Sequence, residues 1–208
     1  MRVVIIDYNS GNLHSAAAAF RRVAGDDVVC ISSDAADLQH ATHIVLPGVG
    51  AYADCMAGLL AVEGMVEALH ARVREAGVPF LGICVGMQMM LERGFEHGEH
   101  QGLGWIAGDV VAIEPFDVSL KIPHMGWNEL CPREGAALFD GLDVGAHAYF
   151  VHSYHARCRD AQHVIATVDY GGDVVAAIQR DNMVGTQFHP EKSQKTGEIV
   201  IRNFLSMA

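Results

Sequence analysis

Phe80-Leu81-Gly82-Ile83-Cys84-Val85-Gly86 decides the fold of this 208-residue chain. Phe80 to Ile83 is a continuous apolar run set behind the breakers Gly77 and Pro79. Such a run fits a strand buried on both faces of a parallel sheet. Two glycines then frame Cys84, and the spacing predicts a helix over Val85 to Arg93 directly behind it. Working outward, Val3 to Ile6, Asp27 to Ile31 and Ile44 to Leu46 predict further buried strands. Between the first two, Leu13, Ala16, Ala17, Phe20 and Ala24 recur at helical spacing, and residues 51–76 read as mostly helical. Strands alternating with amphipathic helices mean crossover connections and a parallel sheet. Beyond Gly104 the rhythm changes. Segments near 105–114, 126–130, 148–152, 163–169, 173–179 and 184–188 predict strands joined by turns, antiparallel or mixed additions to the sheet. Ser193 to Met207 predicts a closing helix with Ile199, Val200 and Phe204 inward. The expectation is a single α/β domain over residues 1–208, an open, mixed, largely parallel sheet flanked by helices.

Composition narrows the partners. The chain carries 25 acidic against 14 basic residues, a net charge of −11, and half of it is apolar. That is a globular composition rather than a disordered one. With only Lys121, Lys192 and Lys195 as lysines, it lacks the basic stripe that nucleic acid requires. No apolar run is long enough to span a membrane, and Met1 to Asp7 does not read as a signal peptide. Five cysteines, odd in number and without a C-x-x-C, read as neither a disulfide framework nor a zinc site. A reducing, cytoplasmic setting is expected.

The G-x-C-x-G frame is the layout of a nucleophile elbow with cysteine in place of serine. The turn lifts the sulfur to a helix N-terminus, where free N–H groups and the dipole favour a negative charge. Cys30 and Cys55 sit in apolar periodic segments, and Cys131 and Cys158 lack a glycine frame, so none of the four carries this signal. Gln187-Phe188-His189-Pro190-Glu191 follows a strand. A histidine there lies on the edge of an open α/β sheet where ligands bind, which is also where Cys84 belongs. Glu191, two residues on, is spaced to hold the imidazole by its other nitrogen, giving nucleophile, base and orienter by role. The chain has 12 histidines; His124, His152 and His155 also lie near strands, but only His189 has a carboxylate at that spacing. Pro47-Gly48-Val49-Gly50 closes the third strand and offers backbone N–H groups for an oxyanion, with the N–H of Val85 as the second donor.

Together, Pro47-Gly48-Val49-Gly50, Gly82 to Gln88 and His189-Pro190-Glu191 resemble the class I (triad) glutamine amidotransferases. Lys121-Ile122-Pro123-His124-Met125-Gly126-Trp127-Asn128, Tyr149 to Tyr154, and Asp7 to Leu13 resemble one branch of that class, the glutaminase subunits of imidazole glycerol phosphate synthases. The resemblance runs over nearly the whole chain. Asn9 stands where a glycine is common, and Val85 where leucine is more usual. The resemblance implies a flavodoxin-like fold and glutamine hydrolysis to glutamate and ammonia by Cys84, His189 and Glu191, without metal or cofactor. It implies an oxyanion hole at Val49, Gly50 and Val85, and substrate contacts from Gln88 and the backbone around Ser153 and Tyr154. It also implies that ammonia passes to a separate cyclase subunit, a (β/α)8 barrel, in a heterodimer that makes imidazole glycerol phosphate and an aminoimidazole carboxamide ribotide for histidine biosynthesis. Asn12, Trp127 and Lys192 would then stand at the interface or gate. A non-catalytic binding or redox-sensing module on the same scaffold is the competing reading; such a module has no need of Gln88, His189 and Glu191 together.

Overall fold

Valine, isoleucine and leucine runs with no polar face can be buried only by strands covered on both sides. In the computed structural model they form β1 (Val3–Ile6), β2 (Val29–Ser32), β3 (His43–Gly48) and β4 (Phe80–Cys84), paired in parallel in the order β2-β1-β3-β4. The structure describes all 208 residues, Asp27 by its backbone alone. The crossovers carry α1 (Leu13–Ala24), α2 (Tyr52–Ala61) and α3 (Met65–Leu69), the last extended by a π-type segment to Glu75, and α4 (Val85–Gln88) follows β4. The later part of the chain adds β5 (Leu91–Gly94), β6 (His100–Gln101), β7 (Ile106–Ala112), β8 (His124–Glu129), β9 (Cys131–Pro132), β10 (His147–His152), β11 (Tyr154–Cys158), β12 (Val164–Asp169), β13 (Asp173–Arg180) and β14 (Met183–Thr186). The helix α5 (Gln194–Leu205) closes the chain.

β14 joins the parallel sheet beside β4, and β13, β12 and β9 continue it antiparallel to make eight strands. Two smaller units stand apart from it, a ribbon of β8 and β10 and a sheet in the order β11-β7-β5-β6. The expected mixed, largely parallel sheet with antiparallel additions is therefore present. Inward residues of α5, Val200 and Phe204, are fully buried, and Phe204 meets Phe20 of α1 edge to face at 6.2 Å. No helix among the described residues is long and apolar enough to cross a membrane.

Register positions the site. Gly48 lies opposite Cys84 across β3 and β4, and Thr186 lies opposite Ile83 across β14 and β4. The carboxyl ends of three neighbouring strands thus finish together.

Three boundaries differ from the sequence expectation. The helix expected over Val85 to Arg93 is one turn long, and the chain enters β5 at Leu91. Met89, Met90 and Leu91 are all fully buried, so the run has no polar face for a helix to present. Their carbonyls are taken by the returning chain instead. Leu103 N–H donates to Met89 O at 2.8 Å, Trp105 N–H to Met90 O at 2.9 Å and Gly104 N–H to Leu91 O at 3.0 Å. β2 starts at Val29, after a short 3-10 turn from Asp26 to Val28. β14 ends at Thr186, so Gln187 and Phe188 belong to the loop that leads to His189.

Candidate active site

Cys84 ends β4 and begins α4 with φ 56° and ψ −112°, a conformation that L-residues rarely adopt. Its neighbours leave it no alternative. A Cβ at Gly82 would come within 2.5 Å of Gly86 O, one at Gly48 within 2.8 Å of Gly86 N, and one at Gly86 would strike the carbonyl of Leu46. The backbones of β3, β4 and the elbow are interleaved at van der Waals contact, and only glycine fits at these crossings. Cys84 is thereby held 4% exposed at the floor of a cavity of about 300 Å³.

His189 enters the same cavity from the loop after β14. Its backbone N–H donates to Tyr149 O at 3.0 Å, and the Ser193 hydroxyl donates to His189 O at 2.7 Å while accepting from Tyr149 N–H at 3.0 Å. The loop is thus pinned to β10. The ring's Nδ1 lies 2.8 Å from Glu191 Oε1, and both side chains are 2% exposed. A carboxylate only accepts, so Nδ1 carries the proton toward Glu191. Nε2 is buried with no hydrogen bond of its own among the described residues.

Burial by itself lowers the His189 pKa, but the neighbouring Cys84 and the hydrogen-bonded Glu191 outweigh it and raise the value from 6.5 to about 10. The cationic ring is the favoured form throughout the neutral range. Because the folded value is raised, the stability that the protonated ring contributes is complete below pH 6.5 and is lost as pH rises through about 10. Ring-nitrogen NMR is therefore expected to show His189 titrating near pH 10, and Glu191→Gln should move that midpoint down. A midpoint at the ordinary histidine value would refute the pairing.

The expected oxyanion residues Val49, Gly50 and Val85 all line this cavity, as do the expected substrate contacts Gln88, Ser153 and Tyr154. Gln88 is 3% exposed and directs both amide hydrogens internally, to Tyr154 O at 3.1 Å and Gln187 Oε1 at 3.0 Å. Its carbonyl oxygen is the acceptor left over. Gln187 in turn directs its amide at Cys84 Sγ, 3.5 Å away. Glu96, which no sequence motif singles out, also lines the cavity and accepts from Tyr52 N–H at 2.7 Å. Nothing local in Gly94-Phe95-Glu96-His97-Gly98 distinguishes this acid from a solvated turn.

Trp127 and Lys192 converge on Tyr149 at the edge of the ribbon. The indole meets the phenol ring at 6.0 Å, and the Lys192 ammonium lies 5.5 Å from its centroid. Asn12 is apart from both the cavity and this cluster; its carbonyl accepts from Ala16 N–H at the start of α1. Of the other histidines near strands, His155 accepts from Val175 N–H at 3.3 Å, while His124 and His152 pair with each other.

Residues 4–207 match the family model described as Glutamine amidotransferase class-I. The chain is 57% identical over 212 residues to the imidazole glycerol phosphate synthase subunit HisH of Brucella suis biovar 1, covering 99% of this chain and 98% of that protein. It is 53% identical to the protein of the same name from Rhodospirillum rubrum, with 100% of each covered. Among solved structures, one described as a glutamine amidotransferase superposes with a TM-score of 0.75 at 18% identity, over 97% of this chain and 96% of that one. PurLQS from Thermotoga maritima gives 0.71 at 19% identity, over 98% and 97%. The two structural likenesses speak to the fold, and the family model and full-length relatives to descent: the chain belongs to the class I glutamine amidotransferases.

Proposed function

We propose that this chain is the glutaminase subunit of an imidazole glycerol phosphate synthase. One observation carries the chemistry: Cys84 on its strained turn shares a buried cavity with a His189–Glu191 pair linked at 2.8 Å. The Cys84 sulfur attacks the side-chain carboxamide carbon of glutamine. His189 gives its Nε2 proton to the departing nitrogen, and ammonia leaves a thioester on Cys84. His189 then takes a proton from water, which attacks the thioester and releases glutamate. Glu191 stabilises the imidazolium at each stage. These steps use only this chain's groups and water.

The oxyanion that forms in each half needs donors already in position. Val85 N–H, at the start of α4, is one. The Val49 carbonyl is held by the Ser10 hydroxyl at 2.8 Å and the Cys55 thiol at 3.5 Å, which ties down the loop that leads to Gly50. Gly50 lines the cavity together with Cys84 and Val85, which supports its N–H as the second donor. The Gln88 carbonyl, the Glu96 carboxylate and the backbone of Ser153 and Tyr154, which also line the cavity, suit an α-amino acid end.

The acceptor of ammonia is proposed as a barrel cyclase subunit held in a heterodimer. The shared name of the full-length relatives supports it. So does a cluster of exposed apolar side chains near the cavity mouth, with Ile122 42%, Met125 62% and Trp127 48% exposed and Pro123 lining the cavity itself. Apolar surface of this kind marks a docking site. The whole chain acts as one glutaminase unit in this reading, and its five free cysteines suit a reducing cytoplasm. The test is glutamate release from glutamine by the chain alone and with the cyclase plus its ribotide ligand. Strong stimulation by both additions together is expected. Release without stimulation would point to a different acceptor, and no release by the folded chain in either case would return Cys84 to the redox-sensor reading.

A further inference from the structure

Two buried histidines take no part in the steps above; His152 lines the cavity itself, and an unbroken series of hydrogen bonds joins it to Tyr154 and to His124. His152 Nδ1 lies 2.8 Å from Tyr154 O, and its Nε2 lies 2.9 Å from His124 Nδ1. His124 Nε2 lies 3.2 Å from Asn128 Nδ2, and that amide also donates to Asp169 O at 2.9 Å. Every proton in this series is determined by its ends. The Tyr154 carbonyl only accepts, so His152 donates through Nδ1 and, with one proton, must accept at Nε2. His124 therefore donates through Nδ1 and accepts from Asn128. The arrangement requires both rings to be neutral, and burial ensures it. Burial lowers the His124 pKa to about 4 and is the first cause of the His152 value of about 3, where nearby histidines add to it against the favourable Tyr154 contact.

Two neutral imidazoles are an expensive way to fill a core that aromatic side chains could pack. His124 already lies stacked on Phe150, ring centroids 4.8 Å apart, so an apolar ring would fit its slot. What an apolar ring could not do is direct a carbonyl. Tyr154 O receives His152 from one side and Gln88 Nε2 from the other, at 3.1 Å.

We propose that His124 and His152 are positioning residues for the α-amino acid end of the substrate, acting through the Tyr154 carbonyl and the Gln88 carboxamide. The inference rests on the glutaminase reading and extends it. His152 fixes the carbonyl, and the carbonyl fixes the rotamer in which Gln88 keeps its oxygen for the substrate. His124 fixes the tautomer of His152, and Asn128 that of His124. His124 acts only through His152, so the two form a series rather than independent contacts.

The experiment compares two electrophiles on the full chain. A diazoketone analogue of glutamine needs the amino acid subsite; iodoacetamide reaches Cys84 without it. His152→Leu is expected to raise the half-saturating diazoketone concentration about tenfold, the size of one lost polar contact to a charged group, with the maximal rate and the iodoacetamide rate nearly unchanged. His124→Phe should shift the same constant by less, His152→Gln should recover part of it, and the double variant should be no worse than His152→Leu alone. An unchanged half-saturation, or a parallel fall with both reagents, overturns the proposal. Ring-nitrogen NMR of the unaltered chain at neutral pH is an independent test, since both rings must be neutral with the proton on Nδ1. A proton on Nε2 of either ring, or a cationic ring, also overturns it. If the unaltered chain reacts with iodoacetamide but never saturably with the diazoketone, the glutaminase reading fails first, and the tautomers still decide whether the hydrogen-bond series exists.

Discussion

Cys84→Ala is expected to abolish glutamine hydrolysis, by about four to six orders of magnitude in kcat, with partner binding retained. The expectation follows from position. The sulfur is the only nucleophile at the elbow, and His189 and Glu191 are set around it rather than around water. In the proposed mechanism, removing it leaves the oxyanion donors and the substrate contacts with nothing to attack. A variant that still released glutamate at a tenth of the original rate would remove Cys84 from the mechanism. The same position gives a second, opposite readout. With φ 56° and ψ −112°, Cys84 stands in a region open to glycine but strained for any residue with a Cβ. Cys84→Gly should therefore be more stable than Cys84→Ala, by about 1 kcal/mol, since relief of 1–3 kcal/mol of strain exceeds the usual entropic cost of glycine. Thermal unfolding of the two inactive variants measures the difference, and the reverse order would mean that the turn is not strained.

Gly86→Ala is expected to be among the most damaging single methyls in the molecule. Its Cβ would be driven into the carbonyl of Leu46, a backbone atom of β3 that is itself fully buried. A flexible side chain could step aside; a strand in the middle of a parallel sheet cannot. The loss should be at least about 3 kcal/mol, at the upper end for overpacking, which in a chain of this size lowers Tm by roughly 6–12 °C. Activity should fall with it, because the elbow and the Val49–Gly50 loop must separate to admit the methyl. An unchanged Tm would show that β3 and α4 are not in the contact described. At Gly25, where nothing lies within 4 Å of the added atom but φ is +96°, Gly25→Ala carries backbone strain alone and separates it from the clash at Gly86.

The parts of the fold that were legible in the sequence are those with a one-dimensional signature. β1, β3 and β4 are continuous apolar runs because both faces of a parallel strand are covered, and their breakers lie beside them in the chain. Cys84 could be picked out from five cysteines because the glycines that permit its geometry are two residues away on each side. His189 and Glu191 were legible for the same reason, being separated by a single proline. What escaped depends on distant partners. Met89 to Leu91 reads as helix until residues 102–106 return to claim its carbonyls. Glu96 is an ordinary acid until the fold brings it into the cavity. His124 and His152 are 28 positions apart, and no local pattern tells that their rings meet at 2.9 Å. Asn12 shows the limit in the other direction: its motif was readable, but the resting chain gives it only a backbone role at the start of α1.

The ribbon of β8 and β10 touches both ends of the function. Trp127 faces Tyr149 across it, and the backbone of Tyr149 is bound to both His189 and Ser193. A molecule settled over Trp127 and a substrate held beside His189 would therefore bear on the same ribbon. Equilibrium linkage between two such sites is reciprocal. Whatever factor a docked subunit adds to the affinity for glutamine, glutamine returns to the affinity for that subunit. Under the proposed function, a partner that tightens glutamine binding is itself bound more tightly when glutamine is abundant.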